Sequence, residues 1–115
     1  MFNKFEQIGH LTADVIMRYT PQGTAVAEFT LATNYKYGDT EETLFMPCVI
    51  MGKFAEAVGP YLLKGGLVFA EGRLREEKWT KDGQEHRRMK TMVSNLKLLG
   101  KSTSKPTEKT EQEAF

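Results

Sequence analysis

Apolar and polar residues alternate along most of this chain with the period of two that marks half-buried strands. Phe2 to Gly9 makes a first run, and Val15 to Tyr19 continues it after a break near Thr12-Ala13-Asp14. Thr20-Pro21-Gln22-Gly23 follows, its proline and glycine placed as a β-turn prefers. In the second strand, Ala25 to Asn34, the residues Ala25, Ala27, Phe29 and Leu31 point inward. A polar connection from Tyr35 to Glu42, containing Gly38-Asp39, leads to a third strand from Thr43 to Met51. The period then changes. Phe54, Val58, Tyr61 and Leu62 share one helical face, so Lys53 to Leu63 is the helix candidate. Gly59-Pro60 should kink or split it, and Lys64-Gly65-Gly66 should end it. Leu67 to Trp79 is a long fourth strand, with Gly72 marking a bulge or bend. Lys81-Asp82-Gly83-Gln84 is a hairpin turn, and Glu85 to Leu99 a fifth strand.

Three strands, a helix, then two strands is the order of an all-β, five-stranded oligonucleotide/oligosaccharide-binding (OB-fold) barrel. Its one helix lies between strands 3 and 4. Such a barrel binds across strands 2 and 3 and with the loops after strands 1 and 4. Residues 1–99 form the expected domain. Residues 100–115 are polar, with one large apolar side chain, Phe115. A segment of that kind cannot offset its ordering entropy, so a disordered C-terminal tail is expected.

Composition narrows the function classes. A length of 115 residues fits one domain. Cys48, the single cysteine, excludes an internal disulfide and fits a reducing cytoplasm; its apolar setting, Met46 to Met51, suits a buried inert thiol. The opening Met1-Phe2-Asn3-Lys4-Phe5-Glu6 carries charge, so no secretory signal is expected, and no apolar run is long enough for a membrane helix. His10 and His86 lie in different strands, no acidic or cysteine cluster has metal-ligand spacing, and no glycine-rich loop opens a helix. No enzyme activity, metal or cofactor is therefore expected. The net charge of +1 does not announce a polyanion ligand, but its distribution is uneven. Between positions 73 and 90, Arg73, Arg75, Lys78, Lys81, Arg87, Arg88 and Lys90 outnumber Glu76, Glu77, Asp82 and Glu85. A local patch of that kind can steer a polyanion.

The same segment carries the only tryptophan. In a strand, Arg73, Arg75 and Trp79 point the same way. A flat ring beside guanidinium groups suits stacking a nucleobase while neutralising its phosphates. Taken alone, the segment reads more readily as a solvated sheet edge; its place in an OB-fold barrel changes that. Tyr35 and Tyr37 at the end of strand 2, Phe45 and Met51 on one face of strand 3, and Trp79 near the strand 4–5 tip are candidate stackers. Tyr35 and Tyr37 also suit amphipathic surface packing, and Phe45 a core position. Lys4, Arg18, Lys53, Arg73, Arg75, Lys78, Lys81 and Arg87 are candidate phosphate ligands, within a wider basic set that includes Lys36, Arg88 and Lys90. Some of these should simply pair with nearby carboxylates.

Several stretches resemble the bacterial-type single-stranded DNA-binding proteins. They are Asn3-Lys4 with Ile8-Gly9-His10-Leu11, Arg18 to Thr33, Gly52 to Glu56, Tyr61 to Gly65, Glu71 to Arg75 and Lys78-Trp79-Thr80. They keep the family's order across residues 3 to 99. The resemblance implies an OB-fold that wraps single-stranded DNA without sequence preference, usually as a homotetramer, in replication, repair and recombination. It places the stacking aromatics on Tyr37, Phe45 and Trp79, with Met51 where many relatives have phenylalanine. Met46-Pro47 stands where the family commonly has His-Arg, the histidine supporting subunit contacts. Relatives often end in an acidic tip with a final Pro-Phe; here Glu111-Gln112-Glu113-Ala114-Phe115 keeps the outline, so Glu111, Glu113, Ala114 and Phe115 are candidates for docking replication or repair partners. The alternative is an OB-fold adaptor of the primosome type, acting mainly through protein contacts, which deletion of the tail would disable. Single-stranded RNA is a third ligand that no residue here distinguishes from DNA.

Overall fold

The computed structural model describes residues 1–100. The expected disordered tail, with Glu111, Glu113, Ala114 and Phe115, lies outside the described residues.

Among the described residues, six strands and one short α-helix follow in the order β1 (Phe5–Leu11), β2 (Ile16–Tyr19), β3 (Ala25–Tyr37), β4 (Thr40–Met51), α1 (Lys53–Val58), β5 (Leu67–Lys81) and β6 (Gln84–Gly100). The sheet runs β1-β5-β6-β4-β3-β2, and β1 also pairs with β3, which closes five strands into a barrel. β2 hangs on the outside of β3, from Ile16 opposite Glu28 to Tyr19 opposite Ala25. The break at residues 12–14 thus makes β2 a separate strand. Closure is thin: β1 meets β3 only at His10 and Leu11. Side chains extend the seam, with Gln7 Nε2 donating to Thr33 Oγ1 at 2.9 Å and Thr33 Oγ1 donating to the Ile8 carbonyl at 2.6 Å.

Alternation puts Ala25, Ala27, Phe29 and Leu31 of β3 into the core, as expected, against Met46, Cys48 and Ile50 of β4 and Val68 and Ala70 of β5. The helix splits at Gly59-Pro60: α1 stops at Val58, and a 3-10 turn covers Gly59–Tyr61. Ala55 and Leu62 are buried, with Phe54 and Val58 packed on the core. Tyr61, expected on that face, is exposed, because the 3-10 turn changes the angular step between residues.

One expectation fails more broadly. Tyr35 to Glu42 is no loop: β3 and β4 pair without a register shift from Val26–Met51 to Tyr37–Thr40, and the turn is only Gly38-Asp39. The polarity of this stretch reflects a hairpin wet on both faces. The other hairpin is longer. β5 and β6 pair out to Lys81–Gln84 around an Asp82-Gly83 turn, whose φ values of 53° and 79° are those of a two-residue hairpin loop. The register shifts between Glu71 and Gly72, where Ser94 of β6 has no counterpart. A Cβ on Gly72 would stand 1.9 Å from the Met92 carbonyl oxygen, so glycine is required where the strands leave the barrel.

Candidate nucleic-acid interface

Beyond Gly72, Leu74 and the buried Thr91 across from it still pack on the barrel, and past them the β5–β6 hairpin is an arm with no buried residue. Its register is uninterrupted from Gly72–Val93 to Lys81–Gln84, so Arg73, Arg75, Glu77, Trp79 and Lys81 share one face. Opposite them on β6 stand Met92, Lys90, Arg88, His86 and Gln84. Leu74, Glu76, Lys78 and Thr80 face the other way, with Arg87 and Met89 across from them.

Trp79 is 41% exposed, more than a core tryptophan would be. His86 lies directly across the ladder, and the two rings are near parallel, 5.5 Å apart and 20° inclined. The Arg88 guanidinium is 5.8 Å from the Trp79 ring centroid, within cation–π range. His86 was not among the candidates from sequence, and Arg88 stood only in the wider basic set. Counting outward from the two-residue turn pairs Trp79 with His86, so the signal was present in the turn.

The same outward face continues around the barrel. A shallow groove of about 180 Å³ brings Arg88 and Lys90 beside Ile16, Glu28, Pro47 and Val49. Phe45 and Met51 alternate with Met46, Cys48 and Ile50 and therefore lie on this outer face of β4. Phe45 is 61% exposed, which disposes of a core role. Arg18 reaches the same face next to Met51, through the Arg18–Val26 and Val26–Met51 pairs. Tyr35 and Tyr37 lie on the opposite face of the β3–β4 hairpin, their rings 5.5 Å apart, with the Tyr37 hydroxyl donating to Glu42 Oε2 at 3.2 Å. The candidate stackers thus fall into two sets. Trp79, Phe45 and Met51 go with Arg73 and Arg75. Tyr35 and Tyr37 go with Lys78 and Arg87, which share their parity with the barrel's inward side.

The cations divide as well. Lys4 pairs with Glu71 at 2.6 Å, Arg18 with Glu28 at 2.7 Å and Arg87 with Glu76 at 3.5 Å. Glu77 takes two partners, Arg88 at 3.1 Å and Lys90 at 3.2 Å. Hydrogen bonds first from Arg88 and then from Lys90 hold its carboxyl below the usual carboxylate range. Among the described residues, Lys53, Arg73, Arg75, Lys78 and Lys81 form no ion pair with a carboxylate. All but Lys53, at the start of α1, stand on β5 of the arm.

No group of three or more His, Cys, Asp or Glu among the described residues is placed to hold a metal, and no described helix is long and apolar enough to cross a membrane. What the arm offers is an exposed indole beside Arg73 and Arg75, whose guanidinium groups have no carboxylate partner among the described residues.

The chain is similar to known proteins over most of its described length. Residues 2–99 match the model of the single-strand binding protein family. A single-stranded DNA-binding protein of Aquifex aeolicus is 37% identical, over 98% of this chain and 80% of its own length. One from Bacillus cereus is 42% identical, over 77% of this chain and 53% of its own. One from Treponema pallidum is 37% identical, over 81% and 55%. The chain therefore spans most of the Aquifex relative but little more than half of the other two. A solved structure titled as a Plasmodium falciparum SSB complex with ssDNA superimposes with a TM-score of 0.81 at 26% identity, covering 86% of this chain and 96% of that one.

Proposed function

The chain belongs to the single-strand binding protein family, and on that footing we propose that it binds single-stranded DNA without sequence preference, coating and protecting it during replication, repair and recombination. It acts as a binding protein and not as an enzyme. The observation that carries this reading is the arm, where exposed Trp79 shares a face with Arg73 and Arg75. Stacking is indifferent to base identity, and guanidinium groups neutralise phosphates whatever the sequence.

Trp79, Phe45 and Met51 are the stackers we assign to the outer face, with Tyr37 and Tyr35 as a second platform. Arg73, Arg75, Lys78, Lys81 and Lys53 are the phosphate ligands supported by their lack of carboxylate partners among the described residues. Lys4, Arg18 and Arg87 would first have to leave theirs. A homotetramer would bury exposed apolar side chains such as Ile8 on β1. The acidic end at Glu111, Glu113, Ala114 and Phe115 is the segment we assign to partner recruitment, in a cytoplasmic setting where single strands arise.

The test is a Trp79 fluorescence titration with poly(dT) at low and moderate salt, with duplex DNA as control. Trp79 is the sole tryptophan, so any quenching reports on it. Quenching by the single strand, weakened by salt and absent with duplex, is the expected result. No quenching and no binding at low salt would overturn the reading.

A further inference from the structure

Glu77 occupies the position on the arm where an anion is least expected. It stands between Arg75 and Trp79 on the DNA-facing side of β5. Arg88 lies directly across from it, and Lys90 one step further, across from Arg75. One carboxylate oxygen, Oε1, accepts from Arg88 Nε at 3.1 Å and the other, Oε2, from Lys90 Nζ at 3.2 Å. The Lys90 side chain is only 14% exposed, the least of the ion-paired cations here.

We infer that Arg88 and Lys90 form a phosphate-binding site for the strand held on Trp79, and that in the free protein Glu77 occupies this site in place of a phosphate. This rests on the single-strand reading above and extends it to two residues and one competitor. A carboxylate taking one donor from an arginine and one from a lysine does what two phosphate oxygens can do in its stead. Arg88 already stands 5.8 Å from the Trp79 ring centroid, so a base stacked there brings its own phosphates within reach. Arg88 and Lys90 also line the groove that runs past Pro47 and Val49 on the outer face of β4. A strand running between Trp79 and Phe45 therefore crosses them. The Glu77 side chain is 37% exposed, and ion pairs at that exposure hold weakly. Phosphate can displace the carboxylate, which then remains nearby as a like charge and lowers the affinity.

Replacing Glu77 should accordingly strengthen binding. In poly(dT) titrations at low salt, Glu77→Gln is expected to bind about 3- to 10-fold more tightly than wild type, the size of one like-charge contact at about 4 Å in a water-like dielectric. Its dependence of log K on log salt should steepen by about 0.7, one further phosphate neutralised on a single strand. Glu56→Gln, on α1, makes the same change in net charge away from the arm and should leave affinity within about twofold. Arg88→Ala placed in the Glu77→Gln protein should abolish the gain. Equal or weaker binding by Glu77→Gln would overturn the site, since a residue that merely positions Arg88 and Lys90 would lose affinity when neutralised. A gain matched by Glu56→Gln would overturn it too. If neither wild type nor Glu77→Gln bound poly(dT), the single-strand reading and this site would fall together; binding by wild type without a gain in the variant removes the site alone.

Discussion

The barrel and the arm share the same two strands, yet Gly72 divides β5 into unlike halves. Before it, Val68 and Ala70 are each 1% exposed and face a core of small and branched side chains. After it, Arg73, Arg75, Lys78, Trp79 and Lys81 are all exposed. Cross-strand pairs and a backbone ladder hold the arm, and apolar burial holds the barrel. Stability and affinity should therefore separate along one strand: barrel substitutions should unfold the protein, and arm substitutions should release the ligand.

The largest effect should come from the barrel. Leu31 is fully buried, packed where β3 meets β1 and β4. Leu31→Ala should lose about 2–5 kcal/mol of unfolding free energy, the cost of the deleted methyl groups and of the cavity left behind. Denaturant titration measures it. Poly(dT) affinity per folded molecule should stay at the wild-type value. A loss of affinity in protein that is still folded would mean that the core and the arm are coupled, and the division at Gly72 would fail.

The arm gives the converse. Trp79→Ala should cost roughly 1–3 kcal/mol of binding. Its unfolding midpoint should barely move, since exposed positions generally change stability by about 0.5 kcal/mol or less. Phe45→Ala and Tyr37→Ala sharpen the comparison, because the two rings stand on opposite faces of one hairpin. If a strand follows the outer face alone, Phe45→Ala weakens binding and Tyr37→Ala does not. Equal losses would show that the strand passes around the hairpin and contacts both faces.

Much of this was legible in the sequence, and what was missed has a physical reason. Alternation located the core of β3 because one face is buried, which is when a period of two leaves a mark. The same rule fails where both faces are wet, so Tyr35 to Glu42 read as a loop although Gly38-Asp39 is turn enough for a tight hairpin. Gly72 was readable as marking a bulge or bend because a lone glycine in a strand has few other uses, although the unpaired residue is Ser94 on β6 across from it. Trp79 stood out as an aromatic among arginines. Glu77 and His86 did not, because their meaning depends on a residue across the ladder: Glu77 reads as one more charge in a mixed run until Arg88 and Lys90 close on it. Tyr61 was assigned inward on a helical period that ends before it at Gly59-Pro60. Phe45 remained ambiguous because an aromatic in a strand suits a core and a stacking face equally, and only the parity set by Met46, Cys48 and Ile50 decides between them.

The smallest effect reads the barrel without touching the arm. Cys48 is 1% exposed, and burial pushes its thiol up to about 12 from the usual 9.0. The folded thiol therefore keeps its proton at a pH where the unfolded one gives it up. Above pH 9 the unfolded state binds fewer protons, so stability falls as pH rises. The contribution is complete below about pH 9 and is lost progressively as pH rises from there towards 12. Between pH 8 and pH 10 the loss should be about 1.4 kcal/mol, one pH unit of a single proton. The comparison is with Cys48→Ala, whose unfolding free energy should fall less steeply by that amount. A thiol reagent gives an independent reading: at pH 8 it should label Cys48 only as fast as the barrel opens, and Trp79→Ala should leave that rate unchanged. Identical pH slopes in the two proteins, or faster labelling when the arm loses its tryptophan, would mean that the barrel is less sealed, or less independent of the arm, than its packing implies.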